Sequence, residues 1–275
     1  MTKSMQENSK EIMGEVQLKY LPDQSYTMRE SLRMLRTNIQ FCGDDIKTIL
    51  FTSAAPDEGK SSSVINLARS LVDSKKKVLV IDADLRKSVM VGRLKATKEK
   101  GEIYGLSHYL SGQKRMGDVI CTTQVQGLFM VFSGPLVPNP TELLEKKYFE
   151  DLIRFARGFF DYVLIDCPPL GAAIDAAVVA RNCDGAIIVT AQGQESARVI
   201  AGVKRQLDDA GIKVLGAILN KVEMKKGGHY GKYYGRYYGR YYGSYYGKYY
   251  GKYYGADDEH KKKKHSSGES EQQKK

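Results

Sequence analysis

The sequence predicts an α/β fold in which a mainly parallel β-sheet carries helices on both faces. Three observations lead there. Apolar runs of strand length recur along the chain without the polar alternation of a half-exposed strand. Each run is followed by a stretch of helical character, so that strands and helices alternate. The 275 residues, 42% of them hydrophobic, suffice for one sizeable core.

Taken in order, residues 1–25 are polar and unpatterned, and a flexible N-terminus is expected. "SYTMRESLRMLRTNIQF" then sets Met28, Leu32, Leu35 and Ile39 at helical spacing behind Ser25, with Glu30, Arg33 and Arg36 on another strip. "KTILFTSA" at 47–54 reads as a strand, 60–74 as a helix and "KVLVIDAD" at 77–84 as the next strand. "GLFMVFSG" at 127–134 leads to a helix over 141–157, and "DYVLIDCPP" at 161–169 leads to an alanine-rich helix over 174–181. "GAIIVTAQ" at 185–192, a helix over 195–209 and "KVLGAILNKV" at 213–222 close the series. One folded domain over 26–223 results, and sheets of this kind gather their chemistry at the carboxyl ends of the strands. The remaining segment, 224–275, is of low complexity and too rich in glycine to bury a core, so a disordered tail is expected.

Charge divides the same way. The formal net charge is +11, but the last 55 residues carry 14 Lys/Arg against 6 Asp/Glu, leaving the body nearly balanced. Basicity therefore belongs to the tail and points to no specific nucleic-acid groove on the domain. The four cysteines, Cys42, Cys121, Cys167 and Cys183, show no CxxC spacing, which argues against a zinc site or a disulfide framework and for a reducing compartment. No run of 18 apolar residues and no signal-peptide core is found, so a chain that neither spans a membrane nor is secreted is expected.

The first strand ends in "SAAPDEGKSSS", where Ala54, Gly59, Lys60 and Ser61 fit GxxxxGK[ST] with alanine replacing the first glycine. Strand before and helix after are the context this phosphate loop requires, and they make the fold a three-layer P-loop NTPase. The loop of Ala55, Pro56, Asp57, Glu58, Gly59, Lys60, Ser61 and Ser62 would cradle phosphates through the backbone N–H groups at the helix start, Lys60 would neutralise the β/γ oxygens, and the Ser61 hydroxyl would hold Mg2+ beside ATP. Asp82 and Asp84, two apart, would share one side of the extended "VLVIDAD". Asp166 ends "YVLID" in the manner of an aspartate that holds magnesium, often through water. A strand-end aspartate taken singly is as often a cap for the next helix. Three of them on two strands of a phosphate-loop sheet are far more specific.

With "SAAPDEGKSSS", "VLVIDADLRKS", "YVLIDCPP", "GPLVPNPTELL", "ESLRMLR" and a C-terminal tyrosine cluster in this order, the chain resembles the bacterial protein-tyrosine kinases of capsular and exopolysaccharide synthesis, a deviant-Walker branch of the P-loop ATPases. The resemblance covers about residues 25–255. It implies an ATP- and Mg2+-dependent tyrosine autokinase with Asp82 as the base for the phenol, Asp84 and Asp166 orienting magnesium waters, Asp82 and Ser61 counted with them among the metal-site residues, and Lys60 stabilising charge on the transferring group. It implies that Glu30, Arg33 and Arg36 join subunits of a ring, by resemblance an octamer, although a solvated polar face is the bland reading of that spacing. Asn220 would hold adenine. Arg86 is left between the phosphates, a neighbouring subunit and an ordinary surface arginine. A membrane polysaccharide co-polymerase as activator, a cognate phosphotyrosine phosphatase and a cytoplasmic location at the inner face of the membrane are implied as well.

The expected phosphoacceptors are Tyr230, Tyr233, Tyr234, Tyr237, Tyr238, Tyr241, Tyr242, Tyr245, Tyr246, Tyr249, Tyr250, Tyr253 and Tyr254, spread over a repeat of paired tyrosines, glycine and usually a base. A glycine-rich chain from Lys221 to Tyr254 spans roughly 30 to 35 Å, against a radius of gyration near ~17 Å for the domain. Some tyrosines would reach their own site and others a neighbour's. Two other readings stay open: a positioning ATPase akin to the partitioning and septum-site proteins, whose signature lysine is replaced here by Ala55, and a tail that binds nucleic acid by stacking and charge.

Overall fold

The computed structural model of the chain describes residues 14–223. Nine strands form one sheet in the order β4-β1-β5-β6-β3-β7-β2-β8-β9. They are β1 (Glu15–Leu18), β2 (Thr48–Ser53), β3 (Val78–Asp82), β4 (Ala96–Lys98), β5 (Cys121–Thr123), β6 (Leu128–Val131), β7 (Tyr162–Asp166), β8 (Gly185–Ala191) and β9 (Val214–Asn220). From β6 to β9 every neighbouring pair is parallel. The β5–β6 and β1–β4 pairs are antiparallel.

Apolar residues on successive positions of the central strands go to opposite faces, as the pleat requires. Leu50, Leu79, Ile81, Val163, Ile165 and Ile188 pack into one cluster, and Ile49, Phe51, Val78, Val80, Leu164 and Val189 into the other. The first face is covered by α4 (Leu106–Leu110), α6 (Pro140–Leu144), α7 (Lys147–Phe159), α8 (Asp175–Ala180) and α9 (Ala197–Asp209). The second is covered by α1 (Tyr26–Phe41), α2 (Lys60–Asp73) and α3 (Met90–Leu94). The short α5 (Met116–Val119) completes the set. Three layers, mainly parallel, agree with the expectation. Among the described residues no helix is long and apolar enough to cross a membrane.

Local chemistry fixes several ends. Ser25 caps α1 by accepting the Met28 amide at 3.2 Å, and Ser196 caps α9 through the Val199 amide at 3.3 Å. Leu32 and Ile39 of α1 are buried, whereas Met28, expected beside them, stands 40% exposed.

Four expectations change. Residues 15–18, taken as part of a flexible N-terminus, form β1: Val16 and Leu18 are buried in the core while the strand pairs with β4 and β5. The three-residue strands β4 and β5 were not foreseen, because their polar and basic residues carry no period that marks a strand. The single helix over 141–157 is two helices. At 100° per residue, Leu143 and Leu144 would point roughly 180° from Phe149, Leu152, Ile153 and Ala156 on a continuous helix, and the break at Glu145–Lys146 turns both groups into the same core. Finally β3 ends at Asp82, so Asp84 lies in the turn that follows and not on the extended strand.

Asp184, just before β8, ties the bottom of the sheet together. Its Oδ2 accepts the amides of Lys47 and Thr48 at 2.9 and 2.8 Å, and its Oδ1 accepts a guanidinium hydrogen bond from Arg157. Burial works against ionisation, but the Arg157 bond and the two amides outweigh it and hold the carboxyl below its ordinary 3.8. A depressed folded value contributes stability above the unfolded value, and that contribution is lost as the pH falls through the folded one. Asp184→Asn is therefore expected to be less stable at neutral pH and to lose less stability than wild type below pH ~4. Urea unfolding across an acid series checks this.

Candidate active site

β3, β7 and β2 lie side by side at the centre of the sheet, and their carboxyl ends bring the candidate residues together. Asp82 is the register partner of Asp166 across β3 and β7, and Asp166 is in turn opposite Phe51 of β2, whose end runs into the phosphate loop. Adjacent parallel strands thus place two carboxylates next to each other beneath the loop. Both are 1% exposed.

Lys60, the first residue of α2, reaches over the strand ends and donates from Nζ to Asp166 Oδ1 at 2.6 Å. Burial alone would lower the lysine's pKa, but the adjacent Asp166 and the nearby Asp84 hold it above its usual value, so it remains an ammonium ion. Asp82 is pushed up to about 8 by burial first and by the Asp166 charge next, against the hydrogen bond donated by Ser88 Oγ to its Oδ2. The Asp84 amide meets Asp82 Oδ1 at 3.3 Å. Asp84 itself accepts the amides of Arg86 and Lys87 on Oδ1, at 3.2 and 2.9 Å. Three carboxylates beside one lysine leave a surplus of negative charge, and Asp82 carries its cost.

The phosphate loop turns through left-handed conformations at Asp57 and Gly59, with φ of 60° and 86°. A Cβ on Gly59 would lie 2.0 Å from Asn220 Nδ2, so glycine is required there for space as well as for φ. No side chain caps α2 at Gly59, and its first-turn amides face outward from a 14-residue helix with the positive end of its dipole. That is a setting for phosphate. Ser61 stands in the same turn, half-buried. Among the described residues no group of three or more His, Cys, Asp or Glu side chains is placed to hold a metal by itself. The donor set fits instead a divalent cation of the magnesium type, which takes one or two carboxylates and completes its shell with phosphate oxygens and water.

Several candidates have partners that the sequence did not reveal. The side chain of Glu58, a residue grouped with the nucleotide ligands, is buried and turned inward: Oε2 accepts the amides of Ala54 and Ala55 at 2.9 and 3.0 Å, and Oε1 accepts that of Ala191 at 3.3 Å. It clamps the loop to the end of β8. An acid in a phosphate loop is electrostatically out of place unless it turns inward, and that oddity was the available signal. Asn220 Nδ2 donates to the Glu58 carbonyl at 2.9 Å, holding the loop's backbone. The Ser62 hydroxyl accepts from Arg93 of α3 at 2.6 Å. Arg86 forms an ion pair within the chain, to Asp175. In α1, Glu30 and Arg33 pair at 2.6 Å, and Arg36 donates to the Ser70 carbonyl of α2 at 2.7 Å. The tyrosines from Tyr230 to Tyr254 lie outside the described residues.

Residues 46–212, more than half of the chain, match the family described as AAA domain. The chain is 44% identical over 214 residues to the tyrosine-protein kinase CpsD of Streptococcus agalactiae, covering 76% of this chain and 92% of that one. This chain belongs to the bacterial protein-tyrosine kinases. The kinase domain of the Escherichia coli tyrosine kinase ETK superposes with a TM-score of 0.65 at 30% identity, over 73% of this kinase and 80% of that chain. The septum site-determining protein MinD of Pyrococcus horikoshii, solved with Mg-ADP, superposes at 0.56 and 25% identity, over 66% and 72%. The kinase thus shares its P-loop architecture with a positioning ATPase, while its nearer likeness is to tyrosine kinases.

Proposed function

We propose that this kinase transfers the γ-phosphoryl group of ATP to the tyrosines between Tyr230 and Tyr254 of its own tail, principally from one subunit to another, and thereby regulates the polymerisation and export of a capsular or extracellular polysaccharide. The observation that carries the reading is the pairing of Asp82 and Asp166 under Lys60, at the mouth of an uncapped helix, in a chain that ends in thirteen clustered tyrosines. Bound magnesium would neutralise the phosphates and draw on Asp84, Asp166 and Ser61 for its protein contacts. Asp82, which would give up its own proton once bound Mg2+ offsets the negative charge around it, accepts the phenol proton, Lys60 leaves Asp166 for the transferring phosphoryl oxygens, and Ser88 keeps the Asp82 carboxylate oriented.

A tyrosine phenol with a pKa near ~10 is ionised in only about one molecule in a thousand at neutral pH, so a base within reach is worth having. Each phosphate adds roughly −1.5 to −2 charges, so four or five would cancel the tail's excess of base. The charge of the tail, more than any one phosphotyrosine, then sets whether subunits stay together through Glu30, Arg33 and Arg36. A membrane activator and a phosphatase complete the cycle.

Mixing a Lys60→Met chain that keeps its tail with a chain truncated after Val222 tests both halves of the proposal. Acid-stable label on tyrosine of the longer chain is expected. Release of phosphate with no labelled tyrosine in the wild type would instead favour a positioning ATPase, which the likeness to MinD keeps as the second reading.

A further inference from the structure

Arg86 and the "PNPT" segment, two features to which the proposed chemistry assigns nothing, meet at one buried acid. Asp175 opens α8 and is fully buried. Arg86 grips it with two bonds, Nε to Oδ2 at 2.7 Å and Nη2 to Oδ1 at 3.0 Å. Thr141 of α6 closes the triangle: its Oγ1 accepts from Arg86 Nη2 at 3.1 Å and donates to Asp175 Oδ1 at 2.6 Å. We propose that Asp175 and Thr141 are positioning residues for the acidic turn after β3, acting through Arg86.

The connection from this triangle to the site is short and made of hydrogen bonds. The backbone amides of Arg86 and Lys87 are the donors that hold the Asp84 carboxylate, and the Asp84 amide meets Asp82. Ser88, two residues beyond Arg86, orients Asp82 from the other oxygen. Residues 84–88 therefore aim both carboxylates, yet they lie outside any helix or strand that would fix them. Leu85 anchors the turn in the core, and the fork at Arg86 sets the orientation of the residues that follow. A planar guanidinium held by two oxygens of a buried carboxylate has one orientation, which a lysine at the same place would not have. The Asp175 carboxylate is held in turn by its place at the start of α8, and Thr141 by α6, so the turn is referenced to the helical layer on the opposite face of the sheet from α2.

This inference rests on the proposed roles of Asp82 and Asp84, and its test separates the two. Asp175→Asn and Thr141→Val are compared with wild type for tyrosine phosphorylation, for affinity toward a fluorescent ADP with and without Mg2+, and for melting temperature. Outer contacts of this kind typically change metal affinity or activity by ~10- to 100-fold. Asp175→Asn is expected to lower kcat in that range and raise the Mg2+ concentration needed for tight ADP binding, with KM for ATP and Mg2+-free ADP affinity close to wild type. Thr141→Val should move the same quantities in the same direction by less, and it carries the test if the asparagine variant does not fold. Arg86→Lys should resemble Asp175→Asn, and the double variant should be no worse than either, since both break one contact.

Two results overturn the proposal. In one, Asp175→Asn and Thr141→Val lower the melting temperature and leave kcat and the Mg2+ dependence at wild-type values. In the other, Asp175→Asn is fully active while Arg86→Lys is not, which would place Arg86 directly on the phosphates or a neighbouring subunit. If the wild type binds Mg2+-ADP but labels no tyrosine, the proposed function fails while the shift in Mg2+ dependence still decides the positioning role.

Discussion

Lys60→Met is expected to lower tyrosine phosphorylation by about 10²- to 10³-fold or more, the size of effect seen when one preorganised charge-stabilising donor is removed from a closed site. The lysine is 8% exposed and its ammonium lies 2.6 Å from Asp166. Methionine keeps the apolar stem and deletes the charge, so the loop is not emptied of side chain. The substitution also strands Asp166 beside Asp82, two adjacent carboxylates without their cation. Breaking a buried pair costs on the order of 3–5 kcal/mol at most, because one of the acids can take a proton instead. The variant should therefore melt lower than wild type at pH 8 and approach it at pH 5. Single-turnover phosphotyrosine formation, with thermal melts at both pH values, checks the two effects together. Activity within tenfold of wild type would remove Lys60 from the chemistry.

Asp82→Asn is expected to lose activity and gain stability. With a folded value of about 8 against an ordinary 3.8, Asp82 keeps a proton that the unfolded chain releases between those pH values. A raised folded value means stability that is whole below the unfolded value and lost as the pH climbs through the folded one, so the wild type weakens across this window. Asparagine cannot ionise. It still accepts from Ser88 through its carbonyl oxygen, and it removes the penalty of a second charge beside Asp166. In nucleotide- and magnesium-free protein the variant should become more stable than wild type as the pH rises from about 4 to 8 and hold that gain above it. Phosphotyrosine formation should fall by roughly 10²- to 10⁴-fold for loss of a general base. Parallel stability curves for the two proteins would show that Asp82 is not held protonated by its surroundings. A site that is costly to the empty fold and needed for transfer is the pattern expected of a functional acid.

The central strands could be read in the sequence because both faces of the sheet are covered, which leaves "ILF", "VLVI", "YVLI" and "AIIV" without the polar alternation of a half-exposed strand. The phosphate loop could be read because strand, loop and helix are contiguous in the chain. The strands on the β4 side of the sheet, β1, β4 and β5, could not: each is three or four residues long, and β1 pairs with β4 and β5 across sequence separations of up to 82 and 107 residues. The break between α6 and α7 was written in the spacing of Leu144 and Phe149, and a count of helical phase would have found it.

The type of chemistry is legible from the residues alone: Gly59, Lys60 and Ser61 in one loop, an aspartate at the end of each of two apolar strands, and a cluster of tyrosines toward the C-terminus. How these residues are held follows from the packing of distant segments. It put Asp82 next to Asp166, turned Glu58 inward to clamp the loop, set Asn220 on the Glu58 carbonyl and gave Arg86 to Asp175. The reason is physical. A loop's conformation follows from short-range sterics that neighbouring residues dictate, whereas the partner of a buried charge is whichever opposite group the packing brings within hydrogen-bond reach.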